Sequence, residues 1–178
     1  NGTLVHRYAD HLGALCTKPD AWRSTISLDG SGDVHEGIRG VKGTFDRAIE
    51  GLQALNARKE QGNLAWPDVT INYTISNYNQ THIREFIDWF HHHDHHVRGI
   101  HFSHLWFKDS SIVKKHNRQF ADEFPVQEEN TGAVDMAAID MKRVREQLAD
   151  SRNGGRHLPF FIAESPPLTE MEAGLYYQ

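Results

Sequence analysis

Cysteine is almost missing from this chain: Cys16 is the single thiol among 178 residues. A lone thiol excludes an internal disulfide framework and any zinc or iron–sulfur site made only of this chain's cysteines. It also favours a reducing, cytoplasmic setting. Cationic excess is lacking as well. Against 24 Asp and Glu stand 19 Lys and Arg, a formal net charge of -5, and no Lys/Arg block occurs. Electrostatics therefore give no reason to expect a nucleic-acid partner. No apolar run approaches the roughly 18 residues of a membrane span, and no signal-peptide pattern appears, so no membrane partner is expected. Gly-rich phosphate loops of the dinucleotide or Walker type are absent. So is the Gly-x-Ser-x-Gly elbow that would make a hydrolase triad of Ser27, Asp29 and His35.

What is present is enough to fold. With 38% hydrophobic and 24% charged residues the chain can bury a core, and its length suits one domain or part of a larger one. Leu4, Val5, Tyr8, Leu12 and Leu15 recur at helical spacing behind Thr3, a possible N-cap. A strand is expected over Trp22 to Leu28, then a polar Gly-rich loop, then a helix from Thr44 to Lys59 carrying Phe45, Ile49, Leu52 and Leu55. Val69, Ile71, Tyr73 and Ile75 alternate with Thr70, Asn72, Thr74 and Ser76, which makes Asp68 to Ser76 the clearest strand. Ile83, Phe86, Ile87 and Phe90 mark a helix running into His91 to His96, and Gly99 introduces a strand from Ile100 to Trp106. A polar loop is expected from Lys108 to Gly132, longer than compact domains usually carry. A helix from Met136 to Ala149, a strand from Leu158 to Ala163 and a last helix from Leu168 complete the reading.

Strands alternating with helices predict βαβ units and a parallel sheet. Three strands carry one polar face each, through Thr25, Ser27 and Asp29, through Thr70, Asn72 and Thr74, and through His101 and Ser103. Side chains alternate along a strand, so these faces would turn together towards a shared interior. The expected fold is α/β: a partial (β/α) barrel of the TIM type with outer helices, incomplete, beginning at roughly its third helix. Residues 1–107 are read as barrel core. Residues 108–178 are read as the C-terminal part of the barrel, leading towards a further extension.

The stretch that organises the chain is Ser24 to Asp46. Ser27-x-Asp29-Gly30 follows a strand, His35 and Arg39 stand in the loop, and Thr44-Phe45-Asp46 opens a helix. Thr70 to Ser76 then precedes Asn79, and Asn1-Gly2 stands at the start. In these motifs the chain resembles the radical S-adenosylmethionine (SAM) enzymes, in particular the branch with peptide-modifying and sulfatase-maturing members. The resemblance covers about residues 1–107, and Leu168 to Tyr177 resembles the segment that leads to a C-terminal cluster-binding extension. It implies that Ser27 contacts the ribose or methionyl part of SAM. It implies that Arg39 pairs with the SAM carboxylate as a planar fork. Asp29, Asn72 and Thr74 would border the cofactor, and His101 and Ser103 the substrate, a small molecule or peptide. A flavodoxin or ferredoxin would donate the electron. The family needs a Cys-x-x-x-Cys-x-x-Cys loop to hold a [4Fe–4S] cluster, whose open iron binds SAM, and also a Gly-Gly-Glu-like segment on its second strand, neither of which this chain has. Their place is expected upstream of Asn1, and the chain alone is expected to be inactive.

Two alternatives stand beside that reading. One is a cluster-free module that binds a nucleoside or peptide on the same scaffold. The other rests on His91 with His95 and His92 with His96, pairs at i, i+4 that would clamp Zn²⁺ on a helix, with Asp94 adding a carboxylate. Against it, a solvated helix C-terminus favours histidine near the negative end of the dipole, which is the expected state of this run.

Overall fold

The structure, a computed structural model, describes residues 2–15, 23–64, 67–93, 95–104, 110–125, 138–153 and 157–165. Its elements in chain order are α1 (Val5–Leu15), β1 (Arg23–Ser27), α2 (Gly32–Arg39), α3 (Thr44–Gln61), β2 (Asp68–Ile75), α4 (Ile83–His92), β3 (Gly99–His104), α5 (Ser110–Phe120), α6 (Met141–Asn153) and β4 (Phe161–Ser165). The strands form one sheet in the order β1-β2-β3-β4, every pairing parallel. Right-handed crossovers between neighbouring parallel strands put successive helices on one side of such a sheet.

The burial pattern bears that out. Along β2, Val69, Ile71, Tyr73 and Ile75 are buried while the residues between them are half-buried. Register continues the apolar side across the sheet, from Ile26 to Ile71 to Ile100. Onto it pack Leu52 of α3 and Phe86 and Phe90 of α4, all but inaccessible. Tyr73 lies 4.9 Å from Phe86 and 5.0 Å from Phe102 between ring centroids, tilted contacts that fix the rings beyond their area burial. The other side of the sheet carries the polar residues. Ser27, Asn72 and His101 share one row across three strands, and Thr74 and Ser103 share the next. The expected single polar face is therefore there. The four-stranded parallel sheet is compatible with a segment of a β/α barrel.

Several expectations need correction. The loop after β1 contains a helix, α2. Its Val34 and Ile38 stand one turn apart, Asp33 sits in its first turn and Arg39 in its last, as the helix dipole favours. Gly40 ends it in the left-handed region at φ 68°, donating its N–H to the Glu36 carbonyl, a conformation that disfavours other residues. The stretch expected as one long polar loop holds α5 over Ser110–Phe120. α6 starts at Met141 rather than Met136, because Asp140 caps it: the Asp140 carboxylate accepts the Arg143 N–H at 3.0 Å. β4 runs later than expected, Phe161–Ser165. Cys16, Trp22, Asp94, Met136 and everything from Pro166 onward lie outside the described residues. Among the described residues no helix is long and apolar enough to cross a membrane.

Candidate functional site

The residues singled out from the sequence converge on the C-terminal edge of the sheet, where parallel α/β sheets hold their ligands. The first tie is made by Asp29, two residues past the end of β1 and only 4% exposed. One carboxylate oxygen accepts the backbone N–H of Thr74 at 3.2 Å, taking the place of a strand acceptor beside β2. The other receives Arg39 Nη2 at 2.6 Å, from the last turn of α2. A buried carboxylate is stable only when paired and hydrogen-bonded, and Asp29 is both. Arg39 itself is about a third exposed, so its fork reaches solvent beyond the one nitrogen Asp29 takes.

His35 is the second tie. It is 1% exposed, and its Nδ1 accepts the backbone N–H of Asp29 at 3.0 Å, which leaves the proton on Nε2. Burial pulls its pKa below the ordinary 6.5. The nearby Arg39 charge acts in the same direction, against the pull of Asp29. The imidazole is therefore neutral at physiological pH, as its role of acceptor requires.

Asn79 is the third. Fully buried, it donates from Nδ2 to the carbonyls of Asp29 and Thr74, each at 2.9 Å. Its Oδ1 accepts from Ser76 N–H at 2.7 Å and Ser76 Oγ at 3.1 Å. The Tyr73 hydroxyl donates to the Asn79 carbonyl at 2.8 Å, and burial pushes that phenol's pKa up, so it stays a donor. One amide thus laces the end of β1 to the end of β2 and leaves none of its own capacity unused.

On the polar face next to this network, Ser103 Oγ donates to Asn72 Oδ1 at 3.2 Å and Asn72 Nδ2 to Thr74 Oγ1 at 3.4 Å. Ser27 and His101 flank Asn72 in the same row, both half-buried. Ser27, Asp29, Arg39, Asn72, Thr74, His101 and Ser103 are thus brought into one region by β1, β2, β3 and α2. The residues that hold this region together, His35, Tyr73 and Asn79, carry no ligand role in the sequence reading. The signal for Asn79 was its place three residues after Ser76 at a strand end, where an amide can answer backbone groups.

The histidine run lies at the other end of the sheet. α4 stops at His92, so the pairs His91/His95 and His92/His96 do not share a helix face. His92 and His93 instead turn their Nδ1 to the carbonyls of Asp88 and Trp89, at 2.7 and 2.8 Å, closing the helix end. Among the described residues no group of three or more His, Cys, Asp or Glu is placed to hold a metal ion. His104 faces the helix side, as Ile100 and Phe102 of the same strand do, and meets Glu164 at 3.0 Å, with Arg152 at 3.6 Å from the same carboxylate.

No family model matches the chain, and no curated protein or solved structure does either.

Proposed function

We propose that this chain forms the SAM-holding wall of a radical SAM enzyme, on a (β/α) barrel of the peptide-modifying and sulfatase-maturing type. The observation that carries the reading is the Arg39–Asp29 pair at the C-terminal edge of a parallel sheet whose strands run in chain order. A chain-ordered parallel sheet with helices against one face and polar side chains on the other supports closure around a polar lumen.

The residues present fit SAM. Arg39 is held by Asp29 yet keeps N–H donors for a carboxylate, which a guanidinium takes bidentately. Ser27, Asn72 and Thr74 offer hydroxyl and amide groups of the kind that meet a ribose and base. Asp29 acts on the cofactor through Arg39, and His101 and Ser103 stand towards the substrate. The [4Fe–4S] cluster does not fit within this chain, because Cys16 alone cannot furnish three thiolates. Its ligands would have to come from sequence outside this chain. With SAM held here against such a cluster, and a flavodoxin or ferredoxin as electron donor, the cofactors would supply radical hydrogen abstraction from a small-molecule or peptide substrate, while this chain's own residues would hold and orient SAM.

The test uses the protein together with its cluster-binding sequence, reconstituted anaerobically with iron and sulfide. The expected product from SAM is 5′-deoxyadenosine, and Arg39→Ala should weaken SAM binding by about tenfold or more. A protein that takes up no cluster and forms no 5′-deoxyadenosine refutes the reading. The second reading, a cluster-free module for a nucleoside or peptide, is favoured by the single cysteine. Clear calorimetric binding of SAM by this chain without iron would turn the conclusion towards it.

A further inference from the structure

The short helix α2 carries different chemistry on different sides. His35 and Arg39, one turn apart, face Asp29. Val34 with Ile38, and Asp33 with Gly37, form two further stripes, since residues four apart lie one above the other on a helix. These four residues face Tyr78 and His82, in the connection between β2 and α4, across an open groove of about 630 Å³. The SAM reading does not use it.

Three features mark the groove as a place for a partner. Tyr78 stands 67% exposed at its side, an aromatic anchor without cover. Gly37 lies in the middle of α2, where glycine weakens a helix relative to alanine. A Cβ there would meet nothing within 4 Å, so no neighbour in the described part of the chain calls for the missing side chain. What glycine leaves there is room for another backbone to come close. Lastly, the exposed Asp33 carboxylate meets no cation and no hydrogen-bond donor among the described residues. Arg39 of the same helix is engaged by Asp29, and Arg84, beyond His82, by Asp150. His82 turns its Nδ1 to Glu85 at 3.0 Å, which brings a second carboxylate to the rim. Among the described residues no Lys or Arg lines the groove.

We propose that this groove docks an extended peptide segment carrying a lysine or arginine beside an apolar side chain. The basic group pairs with Asp33, the apolar one lies between Tyr78 and the Val34–Ile38 stripe, and the peptide backbone passes over Gly37. Other occupants fit less well. A small-ligand site encloses most of its ligand, whereas Asp33, Gly37 and Tyr78 are all exposed. Two-fold pairing with a second copy would set Asp33 and Glu85 against their own counterparts, carboxylate against carboxylate. Docking here requires neither SAM nor a cluster.

Fluorescence anisotropy with a labelled Gly-Leu-Lys-Phe-Gly peptide, on the whole chain at low salt, tests this. Binding should be about fivefold or more tighter than for the Gly-Leu-Glu-Phe-Gly counterpart, and the gap should close in Asp33→Asn. Gly37→Leu grows a side chain into the groove while favouring the helix. That variant should melt no lower than wild type yet bind about tenfold more weakly. Tyr78→Ala, at an exposed position, should weaken binding by a similar factor. No binding at millimolar peptide, equal affinity for the lysine and glutamate peptides, or a folded Gly37→Leu that binds undiminished overturns the proposal. So does phenethylamine binding as tightly as the peptide, which would make the groove a small-ligand site. A dimer that Gly37→Leu dissolves would give the groove to a second copy and overturn it too. If Gly37→Leu does not fold, Tyr78→Ala and the charge comparison decide.

Discussion

Replacing Asn79 by alanine puts the polar network at the sheet edge to its hardest test. The amide is wholly buried and serves four partners: the carbonyls of Asp29 and Thr74, and the N–H and hydroxyl of Ser76. Asn79→Ala strips all of them at once inside the protein. A buried group left unpaired costs about 1–3 kcal/mol, but entering water and a rotating Ser76 hydroxyl recover part, so a net loss of about 3–5 kcal/mol is expected. Against a whole-domain stability of about 5–15 kcal/mol that is a large share. With a urea m-value of about 2 kcal/mol/M, the midpoint should fall by about 2 M. Asn79→Asp separates hydrogen bonding from packing. It keeps the shape but turns an acceptor towards two carbonyls, so it should cost at least as much as alanine. A loss below about 1 kcal/mol for alanine, or an aspartate that is tolerated, would refute the reasoning, since the amide would then not tie the strands together.

Two further outcomes follow from other contacts. His35 has a folded pKa lowered by burial, so its neutral form belongs to the native state. Its contribution is complete above the unfolded value of about 6.5 and shrinks as pH falls towards the folded pKa, by at most about 1.4 kcal/mol per pH unit. Urea curves for wild type and His35→Gln should therefore converge between about pH 7 and pH 5, and parallel pH profiles would count against the assignment. At Gly99 an added Cβ would meet the Phe161 ring at 2.5 Å, because that ring lies across the strand start. Gly99→Ala should cost about 1–2 kcal/mol alone and little in a Phe161→Ala background, a coupling of about 1 kcal/mol in a double-mutant cycle. Additive effects would mean that the ring swings aside freely.

What could be read in the sequence was whatever periodicity or local chemistry states directly. The alternation of Val69, Ile71, Tyr73 and Ile75 with Thr70, Asn72 and Thr74 gave β2, its faces and the polar row it shares with Ser27 and His101. The helix α2 was hidden because Gly32 and Gly37 weaken the helical signal and its one buried residue is a histidine. Its capping signature, Ser31 before it and Gly40 after it, was there to be found. The Asp29–Arg39 ion pair joins a strand end to the last turn of a helix, and nothing in spacing alone makes those side chains face each other. The same holds for His104 and Glu164, which meet across 60 positions only because β3 and β4 are neighbours. The end of α4 fell one turn earlier than the histidine pairs required, as His92 and His93 satisfied the last carbonyls themselves.

At the C-terminal edge of the sheet the polar groups are tied down by one another. At the C-terminal edge, Asp29 is held through its backbone N–H by His35, through its carbonyl by Asn79 and through its carboxylate by Thr74 and Arg39. The guanidinium that stands on Asp29 is therefore ordered before any ligand arrives. A ligand carboxylate meeting Arg39 would not have to freeze a free arginine side chain, which otherwise costs about 0.5–1.5 kcal/mol of affinity. In the proposed SAM-holding wall such a locked network would serve binding, since a rigid first contact makes a modest charge pair effective.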